Sequence, residues 1–301
     1  MKIVTPPYLQ PGDCIGLAAP GKMIGREYVE NAVAIIQKIG FRTTLASNVY
    51  AGKNYFAGSD DERITGFQQL LDNDDVKAIL CMRGGYGSAR IVDQLDFKKF
   101  SQNPKWIIGY SDITVFHAHL FNMGFESLHA TMPLDFAKNN NPTQPVVKLF
   151  EVLKGNKLSY DFNGNPHDKP GIGEGTITGG NLSVMSSLIG SSSDVDTAGK
   201  VLFLEEVGEP LYRLDRMMVA LKRAGKLQNL SGLIIGGLSD MEDASGNFDL
   251  NDYEIILEMV ADFNFPVAFD FPAGHFQENY PLIMGRKVKL EVGKKVRLDF
   301  Y

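Results

Sequence analysis

What the chain lacks narrows its class before any motif is read. No apolar run approaches the ~20 residues that a membrane-spanning helix needs. The N-terminus, MKIVTPPYLQPGDCIGL, carries no apolar core of the signal-peptide kind. These absences lead us to expect a cytoplasmic protein with no membrane partner. There is no long basic run, and 30 Lys and Arg stand against 36 Asp and Glu for a net charge of −6, so nucleic acid is not an expected partner. There are only two cysteines, Cys14 and Cys81. Cys14 opens one apolar strand and Cys81 closes another. On neighbouring parallel strands that puts them about 10–15 Å apart, beyond the ~7 Å Cα separation a disulfide tolerates, so both are expected as reduced core residues. No H-E-x-x-H and no clustered Cys/His spacing is present, so no metal is expected. No Walker ending, no G-x-G-x-x-G, no internal repeat and no low-complexity tract is found, and no cofactor is called for.

What remains is an ordinary globular composition, 44% apolar and 22% charged over 301 residues, enough for one large domain or two smaller ones. In the first half, apolar strands alternate with helices. Strands are read at 14–19, 41–46, 76–82, 106–109 and 126–130, and helices at 26–39, 59–71 and 113–121. Ser59-Asp60-Asp61-Glu62 is a helix-start signal with acids in the first turn. Alternation of this kind means βαβ units and a largely parallel sheet. From 154 to 175 the chain is dense in Gly, Pro, Asn and Asp, which reads as an interdomain linker. Residues 1–153 are therefore expected as an α/β domain. Residues 176–301, with strands spaced less regularly, are expected as a smaller domain, mixed α/β or barrel-like.

The stretch around which the chain is organised is Trp106 to Phe116, WIIGYSDITVF. A short buried strand ends at Gly109 and a helix follows, so Ser111 falls on a strand-to-helix turn. Such turns lift a side chain to the carboxyl edge of a parallel sheet, where α/β folds place their sites. The N–H groups of the following helix can stabilise an anion beside it. This is the geometry of a nucleophile elbow, although Ile113 stands where G-x-S-x-G has its second glycine. A serine before a helix is most often an N-cap, and that reading stands beside the functional one. Arg83-Gly84-Gly85-Tyr86-Gly87-Ser88 follows the third strand and falls at the same sheet edge. It reads either as a tight turn or as a source of one N–H for an oxyanion hole, with the Asp112 N–H as the other.

Leu202-Phe203-Leu204-Glu205-Glu206 is a strand ending in carboxylates. It reads either as an acidic helix start or as the place where Glu205 orients a histidine. The chain offers five histidines, His117, His119, His129, His167 and His275. His275 lies in a loop directly after the strand at 267–269, which suits a base. Local pattern does not choose among the five, nor between Glu205 and Glu206.

Six stretches then fall in one order: PGDCIGLAAP, MRGGYGSAR, IIGYSDIT, GGNLS, LFLEEVGEPLYRLDR and AGHFQENYPLIMG. Together they resemble the L,D-carboxypeptidase family of serine peptidases, which also holds the microcin C self-immunity peptidases, and they span nearly the whole chain. The resemblance implies a Ser–His–Glu triad that maps to Ser111, His275 and Glu205. It implies a Rossmann-like N-terminal domain, a smaller β-rich C-terminal domain, and a site in the cleft between them. It further implies a murein tetrapeptide substrate that loses its terminal D-alanine from an L,D bond in cell-wall recycling, and a homodimer. On this reading the N–H groups of Gly85 and Asp112 hold the oxyanion, and the partner is a small peptide. Two rivals remain. One is a peptidyl-nucleotide hydrolase of the same family, disfavoured because the only tryptophan, Trp106, begins a buried strand, although Tyr212, Phe248 or Tyr253 could stack a base. The other is a two-domain ligand-binding protein without chemistry.

Overall fold

The apolar run Cys14–Ala18 is buried along its whole length, as a strand covered on both faces must be. It is strand β1 of the computed structural model, which describes residues 2–138, 141–242, 248–276 and 278–301. The chain divides into two units, Met1–Asn156 with Tyr280–Leu282, and Lys157–Asn279 with Ile283–Tyr301. In the first unit, β1 is joined by β2 (Arg42–Leu45), β3 (Val76–Cys81), β4 (Trp106–Gly109) and β5 (Ser127–His129). These pair in the order β5-β4-β3-β1-β2, every pair parallel. Cys14 is in register with Val76 and Ala18 with Cys81. The two cysteines therefore lie at opposite ends of neighbouring strands, and both are free, buried thiols. Burial is the largest cause pushing each thiol up from its ordinary value.

Four longer helices cross between the strands. α1 (Arg26–Lys38) buries Val29, Ala32, Ile35 and Ile36 as one stripe. α2 (Asp60–Asp72) starts with a complete capping box between Ser59 and Glu62, in which side chains satisfy two backbone donors the helix leaves open. α3 (Thr114–Met123) ends on Gly124 in the left-handed conformation, and α4 is Gln144–Leu153. Because β1, β3 and β4 are neighbours, the loops leaving their carboxyl ends sit side by side. These are 19–25, 82–87 and the turn at Tyr110–Ile113.

The second unit is built on a seven-stranded mixed sheet. Its strands are β6 (Ser159–Asn163), β7 (Gly171–Asn181), β8 (Lys200–Val207), β9 (Gly232–Ser239), β10 (Val267–Ala268), β11 (Lys287–Val292) and β12 (Lys295–Phe300). Their order is β10-β9-β8-β7-β11-β12-β6. The first four are mutually parallel and the others antiparallel. Helices α5 (Leu182–Ser187), α6 (Leu211–Arg223) and α7 (Asp252–Val260) belong to this unit. Leu214, Met218 and Leu221 of α6 and Ile255 and Ile256 of α7 join Leu202, Leu204, Leu233 and Ile235 of the strands in one apolar core.

The expected linker at 154–175 is corrected here. Ser159–Asn163 is an edge strand and Gly171 begins a central one. The turn residues that suggested a linker serve the connection between them, where Asp168 accepts the Asn165 N–H at 2.8 Å. No helix among the described residues is long and apolar enough to cross a membrane.

The glycines of GGNLS have a packing role. Gly179 sits at φ 123°, and a Cβ there would lie 1.9 Å from the Phe203 carbonyl oxygen on β8. Only glycine lets β7 lie that close to its neighbour. Gly179→Ala is therefore expected to destabilise the protein by about 3 kcal/mol or more, since backbone strain and overpacking add. Urea unfolding would check this, and a midpoint equal to the wild type would contradict it.

Candidate active site

In the first unit, the sequence from Trp106 to Ile113 folds as a buried strand followed by an abrupt turn. Trp106 is fully buried, and its indole N–H donates to the Pro7 carbonyl at 3.0 Å. Ser111 adopts φ 62°, a left-handed conformation that costs a residue with a side chain on the order of 1–3 kcal/mol. It is the first residue of a 3₁₀ turn, Ser111–Ile113, whose N-cap is Tyr110. The N-cap of α3 is Ile113, with no side-chain cap bond. The N-cap reading of Ser111 is thus set aside, and the hydroxyl is carried on a strained turn instead.

The Gly-rich loop presses against that turn. A Cβ on Gly84 would lie 2.8 Å from the Ser111 Cβ and 3.0 Å from its Oγ. Among the described residues, neither the Gly85 nor the Asp112 N–H donates to another backbone group. The side chain of Asp112 holds the loop in place. Its Oδ2 accepts the Ser88 hydroxyl at 2.7 Å and the Ser88 N–H at 2.9 Å, and its Oδ1 accepts the Gly87 N–H at 3.3 Å. Burial pushes the Asp112 carboxyl up, against the pull of these bonds in the other direction. From the opposite side, the wholly buried Arg63 donates to the Gly87 carbonyl at 2.9 Å and to the Pro20 carbonyl.

One histidine supports the turn from behind. His117 Nε2 lies 2.9 Å from the Gly109 carbonyl and Nδ1 2.8 Å from the Ser127 hydroxyl. A carbonyl only accepts, so Nε2 carries the proton and Nδ1 accepts from Ser127. Desolvation lowers the His117 pKa to about 4, which keeps the ring neutral in that tautomer. His129, fully buried, closes β5 in register with Gly109.

In the second unit, Glu205 and Glu206 lie within β8 rather than beyond it, and alternation sends them to opposite faces. Glu205 is fully buried. Its Oε2 lies 2.7 Å from His275 Nδ1 and accepts the His275 backbone N–H at 3.0 Å. Two bonds to one oxygen fix both the ring and the loop that bears it. A Cβ on Gly274, at φ 92°, would lie 2.5 Å from Glu205 Cγ, so glycine is required for the loop to close on the carboxylate. The Gly274 N–H donates to Asn279 Oδ1 at 2.9 Å, and the Ser239 hydroxyl donates to the His275 carbonyl. Gln277, in the same motif, lies outside the described residues.

Glu206 turns the other way. Its Oε1 accepts from Asn181 Nδ2 and the Val207 N–H, each at 2.9 Å, and its Oε2 accepts the Ser183 N–H at 2.7 Å. Desolvation is the largest cause pushing its carboxyl up, with the charge of Glu205 adding to it. Glu206 therefore holds the start of α5, while Glu205 holds a histidine. His167 stacks on Tyr253 at 4.7 Å, and His119 packs on Phe97 at 5.1 Å. The expected residues thus fall into two groups. Ser111, Gly85 and Asp112 meet at one edge of the first sheet, and Glu205 and His275 meet in the second unit. The side-chain roles of Asp112, Arg63 and His117 were not legible, because their partners lie 8 to 43 residues away in sequence.

Comparison with known proteins gives a consistent result. The family model described as the LD-carboxypeptidase N-terminal domain matches residues 15–130, and that of the LD-carboxypeptidase C-terminal domain matches residues 174–290. A probable murein peptide carboxypeptidase of Bacillus subtilis is 29% identical, over 96% of this chain and 92% of its own. A putative carboxypeptidase of Synechocystis is 31% identical, over 94% and 93%. The crystal structure of muramoyltetrapeptide carboxypeptidase from Oxalobacter formigenes superposes with a TM-score of 0.85 at 25% identity, covering 95% of this chain and 98% of that one.

The two glutamates are expected to answer differently to amide replacement. Glu206 has both oxygens facing donors, so Glu206→Gln sets one N–H₂ against a donor and costs about 1–3 kcal/mol of stability. Glu205→Gln can still accept both His275 bonds but loses the charge beside the ring. It is expected to leave the urea midpoint nearly unchanged and to lower peptide hydrolysis by about 10³–10⁴-fold. Equal losses of turnover in the two variants would contradict this assignment.

Proposed function

The chain belongs to the LD-carboxypeptidase family, and from that premise we propose that it is a serine carboxypeptidase removing the terminal D-alanine of a murein tetrapeptide. The observation that carries the reading is the Ser111 hydroxyl on a left-handed turn at the carboxyl edge of a parallel sheet. An N-cap serine has no need of that strain, whereas a nucleophile presented to a substrate does.

In this reading Ser111, His275 and Glu205 act together. His275 takes the proton of the Ser111 hydroxyl as Oγ attacks the carbonyl carbon of the last peptide bond. The negative charge that develops on the carbonyl oxygen is met by the N–H groups of Gly85 and Asp112. The C–N bond then breaks, and His275 returns its proton to the leaving amine, which departs as D-alanine. Water, deprotonated by His275, attacks the acyl-enzyme ester and releases the shortened peptide and the free hydroxyl. Through both steps Glu205 holds the His275 tautomer at Nδ1 and stabilises the imidazolium. The asymmetric use of Glu205, with one oxygen taking both His275 bonds, suits that role.

A wall-peptide substrate also fits the absence of a free indole platform, since Trp106 is buried. Tyr253 is already occupied, stacked on His167 and donating its hydroxyl to Asp270 at 2.8 Å. A place in cell-wall recycling, a cytoplasmic setting and a homodimeric assembly belong to the same reading.

Two linked measurements test it. An activated fluorophosphonate is expected to leave one covalent adduct, on Ser111. Ser111→Ala is expected to abolish both labelling and turnover while keeping the wild-type unfolding midpoint within about 1 kcal/mol, because alanine replaces serine without losing a cap bond. An unlabelled wild type, or a variant with full activity, would overturn serine chemistry in favour of a binding protein.

A further inference from the structure

An enzyme that removes only the last residue must read a free carboxylate, which lies about 3–4 Å beyond the scissile carbonyl carbon. Resting on the reading above, the cation that meets it has to stand beside the loop that holds the oxyanion. Two cations of the first unit do so. Lys22 follows the end of β1, and its N–H donates to the Gly84 carbonyl at 3.3 Å. Its stem runs along Gly85, with Cβ and Cδ at 2.9 and 3.2 Å from where a Cβ of that glycine would lie. The Tyr55 hydroxyl lies 2.8 Å from the same point, and Lys22 Nζ sits 4.7 Å from the Tyr55 ring centroid. Arg83 immediately precedes Gly84 and donates from Nη1 to the Met23 carbonyl at 3.3 Å.

The charge balance around the loop singles out these two. Arg63 and Arg90 share the carboxylate of Asp60. Among the described residues, neither Lys22 nor Arg83 forms an ion pair with any carboxylate. The buried Asp112 directs both its oxygens to Gly87 and Ser88. Both cations are half-buried, and Gly85 and Tyr86 of the loop are exposed, so a substrate can reach the loop. A half-buried cation without a counter-ion is poised for an anionic ligand.

We propose that Lys22, seconded by Arg83, anchors the terminal carboxylate of the substrate and so restricts cleavage to the last peptide bond. The lysine is the specificity-determining residue, because its side chain lies directly on the residue that supplies the oxyanion N–H.

The test compares one tetrapeptide in two forms, with a free C-terminal carboxylate and with a C-terminal carboxamide. The specificity constant kcat/KM is measured for wild type, Lys22→Met, Lys22→Arg and Arg83→Met. The wild type is expected to prefer the free acid. Lys22→Met should lose about 10- to 100-fold on the acid, the range of one charge-assisted bond, while the carboxamide rate stays within about twofold. Lys22→Arg should restore most of the preference, and Arg83→Met should show the smaller loss. An acid-to-amide ratio in Lys22→Met equal to that of the wild type overturns the anchor, as does an equal fall on both substrates. A wild type that hydrolyses neither form overturns the carboxypeptidase reading itself and the anchor with it.

Discussion

The buried carboxylate of Asp112 is the interaction on which the first unit's site depends. It ties the turn that carries Ser111 to the loop that carries Gly85, through the Ser88 hydroxyl and the N–H groups of Ser88 and Gly87. A carboxyl group taken out of water is tolerated only when its oxygens are met by donors, and here the donors belong to the loop that must be held. Arg63 completes the arrangement by taking the Gly87 carbonyl. The Gly87 carbonyl and the Ser88 N–H of one peptide unit are therefore both held by buried side chains. Electrostatic stabilisation of a developing oxyanion needs donors whose positions are set before the reaction begins. A loop of three glycines cannot supply that rigidity alone.

The second unit solves a similar problem with different means. Glu205 is sequestered near the carboxyl end of β8, and the loop that bears His275 is drawn onto it by a backbone N–H as well as by the ring. Gly274 permits the close approach and Asn279 takes its N–H. One residue further on, Glu206 accepts three bonds, from Asn181, Ser183 and Val207. Two adjacent carboxylates thus divide the work, one toward a titratable ring and one toward the backbone of a helix start.

How much of this the sequence discloses follows from the range of the forces involved. The parallel sheet was legible because burial on both faces writes a continuous apolar run, as in Cys14–Ala18 and Trp106–Gly109. The start of α2 at Ser59 was legible because its signal lies within four residues, and the structure completes it as a capping box. The divergence of Glu205 and Glu206 follows from strand alternation once the strand is known to extend to Val207. The linker was misjudged because turn composition looks the same whether it joins two domains or two strands of one sheet, as Ser159–Asn163 and Gly171–Asn181 show. The left-handed φ of Ser111 and its close approach to Gly84 could not be read, since the two residues are distant in sequence. The assignment of His275 rather than another histidine needed either the resemblance or the 2.7 Å contact with Glu205.

The proposed activity is hydrolysis of one particular bond. The most direct measurement is incubation with a diaminopimelate-containing tetrapeptide, followed by mass analysis of the products. The expected result is a single new peptide lighter by one alanine residue, together with free D-alanine in equal amount. A peptide recovered intact, or one cut at an internal bond, would contradict it.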